Sequence, residues 1–341
     1  MSKTIHFFGR ISGITGLLIA LFLLDLALGS VWIPPDQIFR ILIGLEPDQA
    51  SWETIFWQIR FPRALTAVFA GAALALSGLL MQSFFQNPIA GPFVLGISSG
   101  SSLGVAILVL GSSTLGLGRW ISPNSGWSLI LFSSLGAFLV LLIVLQVARS
   151  VRQLSTLLII GLLFGAAVGS LVSILEYFSD REALRRFVLW GFGSLGGVSW
   201  QELLVMIPVL LFAMIWCMGL AKPLNALLLG QEFARGLGVP IRSIRFQIIL
   251  TTALLAGTVT AFCGPIAFIG IAVPHLARIG LQSQQHGRLI PMTLLIGGCV
   301  LVFCDIIAQL PGSSVQLPIN AITALLGAPM VIWIVYQYRN T

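Results

Sequence analysis

Residues 59–104 read IRFPRALTAVFAGAALALSGLLMQSFFQNPIAGPFVLGISSGSSLG, and three features of this stretch set the architecture. Residues 62–82 form one apolar run, and as a helix it is long enough to cross the roughly 30 Å hydrocarbon core of a bilayer. Ala67, Gly71 and Ala75 recur at four-residue spacing, as do Gly96, Gly100 and Gly104. Such stripes let helix backbones approach closely in lipid, where no hydrophobic force drives helices together. Between them, Gln86-Asn87-Pro88-Ile89-Ala90-Gly91-Pro92 carries no charge and two prolines. A broken turn of this kind at a membrane face must be buried in protein or line a water-filled path. Together the three features indicate a bundle of closely packed membrane helices.

The rest of the chain repeats the pattern. Of 341 residues 57% are apolar and 9% charged, the composition of a polytopic membrane protein. Further runs lie at 11–31, 93–111, 127–148, 154–176, 202–220, 244–263, 266–281, 289–308 and 319–337, which with 62–82 predict about ten transmembrane helices. The eighth run is short and contains Pro274. Gly161, Gly165 and Gly169 form a third stripe. An even number of spans places both termini on one side.

Charge assigns the sides, because loops rich in Lys and Arg stay in the cytoplasm. With the N-terminus inside, eleven of the eighteen basic residues fall inside, among them Arg149, Arg152, Arg235, Arg242 and Arg245. Arg40, Arg60, Arg63, Arg119, Arg181, Arg185 and Arg186 fall outside, together with eight of the eleven acids. The net charge of +7 therefore reflects topology and not affinity for nucleic acid. Residues 1–31 also fit a signal peptide ending at Ala27-Leu28-Gly29, but the charge balance favours a retained first span. Asp36, Glu46 and Asp48 sit in an outside segment that reads as a short surface helix and turn. Glu176 to Arg186 reads as an outside amphipathic helix, followed by a flexible turn at Trp190–Gly196. That turn matches G-x-G-x-x-G only formally, since no strand precedes it.

Several absences limit the chemistry. The only lysines, Lys3 and Lys222, do not follow glycine, so a phosphate-binding G-x-x-x-x-G-K-[ST] loop is impossible. Metalloprotease and nucleophile-elbow motifs are missing, and Cys217, Cys263, Cys299 and Cys304 lack metal-ligand spacing. No catalysis, cofactor or metal centre is expected, and any ATP hydrolysis belongs to a separate chain. Asp25 and Asp305 lie in apolar runs, where a central acid costs about 2.5–3.5 kcal/mol, so both should face protein or water near the outer ends of their helices. Two such acids give weak support to an ion-coupled secondary transporter, which is the alternative of another class. His275 beside Pro274 reads as structural, near the cytoplasmic end of the eighth span.

Residues 220–245, LAKPLNALLLGQEFARGLGVPIRSIR, interrupt the apolar runs on the inside. Leu224 to Leu229 should stop at Gly230, and Glu232 to Leu237 at Gly238. Helices so short need external support. Phe233 and Leu237, at i and i+4, form an apolar ridge that a partner protein would grip, with Glu232 and Arg235 facing elsewhere. At the other side, Arg60 and Arg63 stand at the outer mouth of the second span. Taken alone they read as snorkelling residues.

These pieces, in order, resemble the FecCD-type permeases, membrane subunits of bacterial ABC importers for iron chelates and cobalamin. The matching residues are Arg60-Phe-Pro-Arg63, Gly71-Ala-Ala-Leu-Ala, Ser77-Gly78, Gln82, Asn87-Pro88 and Gly96. They continue through Trp190–Gly193, Leu229-Gly230, Ala234, Leu237-Gly238-Val239, Gly264-Pro265-Ile266, Phe268-Ile-Gly270 and Pro274-His275. Asp305, Pro318, Thr323-Ala324 and Gly327-Ala-Pro329 complete the match. The resemblance implies an all-α, type II importer permease, a single membrane domain over residues 1–341 in the cytoplasmic membrane. It implies a second permease subunit, a cytoplasmic ATPase dimer and an extracytoplasmic substrate-binding protein. The carried-over sites are ATPase coupling by Leu229, Gly230, Glu232, Phe233, Ala234, Arg235, Leu237 and Gly238, and docking of the binding protein by Arg60 and Arg63. Asn87, Ile89, Ser155 and Thr156 would close the pathway. The expected substrate is an iron(III)-siderophore complex, with cobalamin or haem as alternatives. The chain departs from the family pattern at Gln309, Gln316 and Ile319-Asn320, which leaves a charged contact at that outer corner open.

Overall fold

The computed structural model describes residues 2–111, 125–151, 153–313 and 315–339. Arg119 and Arg152, assigned above to an outer and an inner loop, lie outside these residues. Among the described residues seven helices are long and apolar enough to cross a membrane, including 50–85, 126–148, 241–263 and 286–308. Three shorter apolar helices, Ile97–Val109, Ile269–Leu281 and Ile319–Ile334, coincide with the third, eighth and tenth runs. The expected set of about ten is thus matched run by run.

The organising element is α4 (Phe61–Phe85), which is buried along almost its whole length. Around it stand α12 (Ile241–Cys263), α13 (Ile269–Leu281), α14 (His286–Ala308) and, more lightly, α9 (Trp200–Gly219). Small residues make this position possible. A Cβ at Gly71 would lie 2.2 Å from Gly297 O, and one at Gly78 would lie 1.7 Å from Gly270 O. The α4 backbone therefore touches the backbones of α13 and α14 directly, as the stripe suggests. Gln82 adds polar fastening: its side-chain amide donates to Ile271 O at 3.0 Å, and its carbonyl accepts from Arg278.

A second pair forms by the same device. In α5 (Ile97–Val109), Gly100 and Gly104 abut Gly136 and Phe132 O of α6 (Gly126–Ser150). The third stripe, on α7 (Leu154–Phe178), behaves differently. Gly165 contacts Ser99, but Gly169 has no neighbour within 4 Å of a notional Cβ. Much of α7 is exposed, including Leu162, Leu163, Leu171 and Ile174. The helix α1 (Ser2–Ala27) lies on the outside of α14, and α15 (Ile319–Arg339) packs on α13 and α14.

Several local elements extend or correct the sequence reading. The outer segment between α1 and α4 contains α2 (Pro35–Leu42), tied to the following turn by the Arg40–Asp48 ion pair at 2.7 Å, and then α3 (Ala50–Ile55). A π-helical turn, Phe56–Arg60, joins α3 to α4, so this helical rod begins twelve residues before the apolar run. The amphipathic helix expected from Glu176 begins only at Arg181, because Glu176 belongs to the last turn of α7. This helix, α8 (Arg181–Gly191), is capped by Asp180, which accepts from the Ala183 N–H at 2.8 Å. The glycine turn after it is packed rather than free. The Ser194 N–H donates to Cys263 O at 2.7 Å, and Gly193 and Gly264, both at positive φ, fit against each other. His275 is buried in α13, edge-on to Trp333 with ring centroids 6.0 Å apart.

Candidate functional site

The inner segment contains α10 (Ala221–Leu227) and α11 (Gln231–Gly236), close to the expected boundaries. Gly230 and Gly238, at φ +98° and +79°, turn the chain on either side of α11 in a region that side chains rarely adopt. One face of the segment is anchored: Leu224 and Ala234 are fully buried, and the Val239 N–H donates to Ala234 O at 3.0 Å. The other face carries Leu229, Phe233 and Leu237, exposed by 64%, 54% and 61%. Four-residue spacing aligns Phe233 and Leu237, on α11 and its C-cap, as an apolar ridge in solvent, and Leu229 is exposed ahead of the Gly230 turn. Glu232 and Arg235 pair at 2.7 Å beside it, both well exposed. A groove of about 1130 Å³ runs alongside, between the end of α6, α11 and the start of α12, with Arg235, Arg242 and Arg245 on its walls. Arg245 also donates to Ala148 O and Val151 O, satisfying carbonyls at the C-terminus of α6.

The segment is bonded to the membrane helices at two points. Gln86, the left-handed C-cap of α4, donates to Leu227 O at 2.7 Å. Asn225 of α10 accepts from the backbone N–H of His286, the first residue of α14, at 2.8 Å. The sequence reading missed Gln86, Asn225, His286 and Arg245, because their partners lie tens of residues away and no fixed spacing marks them.

Of the residues expected to close the pathway, Asn87 and Ile89 lie in the turn after α4, and Ser155 and Thr156 lie at the start of α7. Asn87 Oδ1 accepts from the Ile89 N–H at 3.1 Å, a local turn that leaves Ile89 exposed by 44%. Ser155 and Thr156 are exposed in the first turn of α7. The 3₁₀ turn Pro92–Leu95, which follows Ile89, packs on α7, so the two loops are held by touching elements.

At the opposite end the structure differs from expectation. Arg60 and Arg63, for which the resemblance implies docking of a binding protein, are only 6% and 7% exposed. Arg60 donates to Leu26 O, Ala27 O and Val31 O, where the C-terminus of α1 leaves carbonyls without helical partners. Arg63 makes a bidentate pair with Asp305 of α14, with Nε to Oδ2 and Nη2 to Oδ1 both at 2.8 Å. Gln309 completes the cluster, donating to Asp25 Oδ1 at 2.7 Å and to Asp305 Oδ2 at 3.0 Å. Both in-span acids therefore face protein near the outer ends of their helices. The glutamine at 309 bridges them with a neutral amide.

The close-packed bundle of membrane helices, with its exposed segment at one end, fits the permease subunit of an ABC importer, and comparisons with known proteins show that class. The FecCD transport family model matches residues 17–337, and the chain belongs to this family. It is 39% identical over 329 residues to a vitamin B12 import system permease protein of Klebsiella pneumoniae, covering 96% of this chain and 93% of that one. A protein of the same name from Citrobacter koseri is 36% identical over 97% of this chain and 94% of its own length. A solved inward-facing structure assigned to an ABC transporter of metal-chelate type matches with a TM-score of 0.83 and 29% identity. It covers 96% of this chain and 98% of that one.

Proposed function

We propose that this chain carries a metal chelate across the cytoplasmic membrane, driven by ATP hydrolysed on a separate subunit, with vitamin B12 as the leading substrate. The mechanical part of this reading is carried by the Phe233–Leu237 ridge and the neighbouring exposed Leu229, an apolar surface on a segment bonded to α4 and α14. A cleft in an ATPase that covers the ridge would remove it from water and move the helices to which it is bonded. The substrate follows the names of relatives that align over nearly the whole chain. Vitamin B12 thereby takes the place of the iron-siderophore complex as the first choice. A ferric siderophore is the second reading, favoured by the metal-chelate description of the solved structure.

In this reading two permease subunits stand side by side, with the exposed face of α7 toward the partner and the chelate passing between them. Asn87, Ile89, Ser155 and Thr156 close the inner end, and a binding protein delivers substrate at the outer end. Arg60 and Arg63 hold that outer surface in shape. Direct docking of an acidic partner requires exchange of their present acceptors, and this is easier at Arg60, whose acceptors are neutral carbonyls. Reconstitution with the ATPase and binding protein tests the whole reading. ATP-dependent uptake of cyanocobalamin is expected, and uptake of a ferric hydroxamate alone selects the second substrate. Uptake driven by an ion gradient without an ATPase would overturn both.

A further inference from the structure

A polar chain, half-buried at Asn225 and buried at His286 and Ser83, links the inner segment to the central helix of the bundle. Asn225 Oδ1 lies 2.8 Å from the backbone N of His286 and 2.9 Å from its Nδ1, and His286 Nε2 lies 2.7 Å from Ser83 Oγ. His286 and Ser83 are 1% and 3% exposed. The orientation of every donor follows from one fixed point. A backbone N–H can only donate, so the Asn225 atom facing it must be the carbonyl oxygen. That oxygen accepts again from Nδ1, which therefore carries the hydrogen. In a neutral imidazole Nε2 is then an acceptor, and the Ser83 hydroxyl donates to it. Each bond is determined by the next, running from α10 through the first residue of α14 to α4.

What the chain connects is a closely packed pair. Helices α4 and α14 touch backbone to backbone at Gly71 and Gly297 in the middle, and the Arg63–Asp305 pair bonds them at the outer end. The Ser83–His286 bond does the same at the inner end. The 25 residues of α4 span about 37 Å at 1.5 Å per residue. A displacement of α10 is therefore delivered by Asn225 to both members of the pair at once. Gln86 bonds the same segment to α4 alone.

We propose that Asn225, His286 and Ser83 are positioning residues that transmit movement of the ATPase-facing segment to the α4–α14 pair and so to the outer mouth. This rests on the reading that α10 and α11 receive the ATPase. The test uses the full chain assembled with its ATPase and carrying a spin label at Ile59→Cys, a site 56% exposed just before α4. ATP and its non-hydrolysable analogue should shift the label's spectrum in the otherwise unchanged chain. Ser83→Ala removes only a hydroxyl and avoids loss of fold. His286→Asn retains the side-chain donor toward Asn225 but falls short of Ser83, and His286→Gln reaches Ser83 but gives up the side-chain bond to Asn225, leaving only the bond from the backbone N–H. Each variant should reduce the label response per ATP hydrolysed at least fivefold, and Ser83→Ala with His286→Asn should be no worse than either alone, because one chain is cut twice. A response within twofold of the parent in Ser83→Ala and His286→Asn would overturn the proposal. Absence of any nucleotide response in the parent, with no ATPase bound, would instead refute the coupling role of α10 and α11.

Discussion

Arg63 and Asp305 show how a membrane bundle tolerates charge. The carboxylate is fully buried and the guanidinium nearly so, and each supplies what the other loses on leaving water. Breaking such a pair is worse than omitting it, because one charge is then buried alone. Arg63→Ala should therefore destabilise the purified chain by about 3–5 kcal/mol. Arg63→Ala combined with Asp305→Asn should be markedly more stable than the single variant, as thermal unfolding in detergent would record. The glycines permit an equally local prediction. At Gly78 a Cβ would overlap the Gly270 carbonyl, whereas at Gly169 it meets nothing within 4 Å. Gly78→Ala should lower the unfolding midpoint strongly, since α4 must move away from α13, and Gly169→Ala should leave it unchanged.

At the scale of elements, α11 makes the test of the proposed ATPase contact. Its buried side rests on Ala234, so replacing the exposed ridge leaves the anchor intact. Phe233→Ala with Leu237→Ala should reduce co-purification of the ATPase at least tenfold without reducing membrane insertion, and unchanged co-purification would exclude the ridge as the contact. The ridge was legible in the sequence because four-residue spacing and two flanking glycines are local signals. The apolar runs were legible for the same reason. Other elements were not. The rod from α3 into α4 was cut short at Arg60, because polarity and not helicity ended the apolar run. The turn at Trp190–Gly196 read as flexible, since the glycine turn that packs on it comes some seventy residues later, at Gly264. Arg60 and Arg63 read as surface residues because nothing near them in sequence announces the carbonyls of α1 or the carboxylate of Asp305. Asn225 and His286, sixty-one residues apart, left no trace of their bond.

For the whole molecule, charge gives a sidedness that the arrangement of helices can test. Eleven of the eighteen basic residues are assigned to the side that carries α10 and α11, and eight of the eleven acids to the other side. By the positive-inside rule the ridge would face the cytoplasm and the start of α4 would face outward. The four native cysteines are all buried, so single introduced thiols report cleanly. Ile59 and Phe233 are exposed by 56% and 54%, one at each end of the bundle. A membrane-impermeant maleimide applied to cells with the outer membrane permeabilised should label Ile59→Cys and spare Phe233→Cys. Inside-out vesicles should reverse the pattern. Labelling of Phe233→Cys from outside would place the ridge beyond reach of cytoplasmic ATP and remove the basis for coupling. Labelling of Ile59→Cys from outside would put Arg60 and Arg63 on the side where a binding protein arrives. Arg60→Glu should then weaken that association, more at low salt than at high salt, because exposed charges are screened as ionic strength rises.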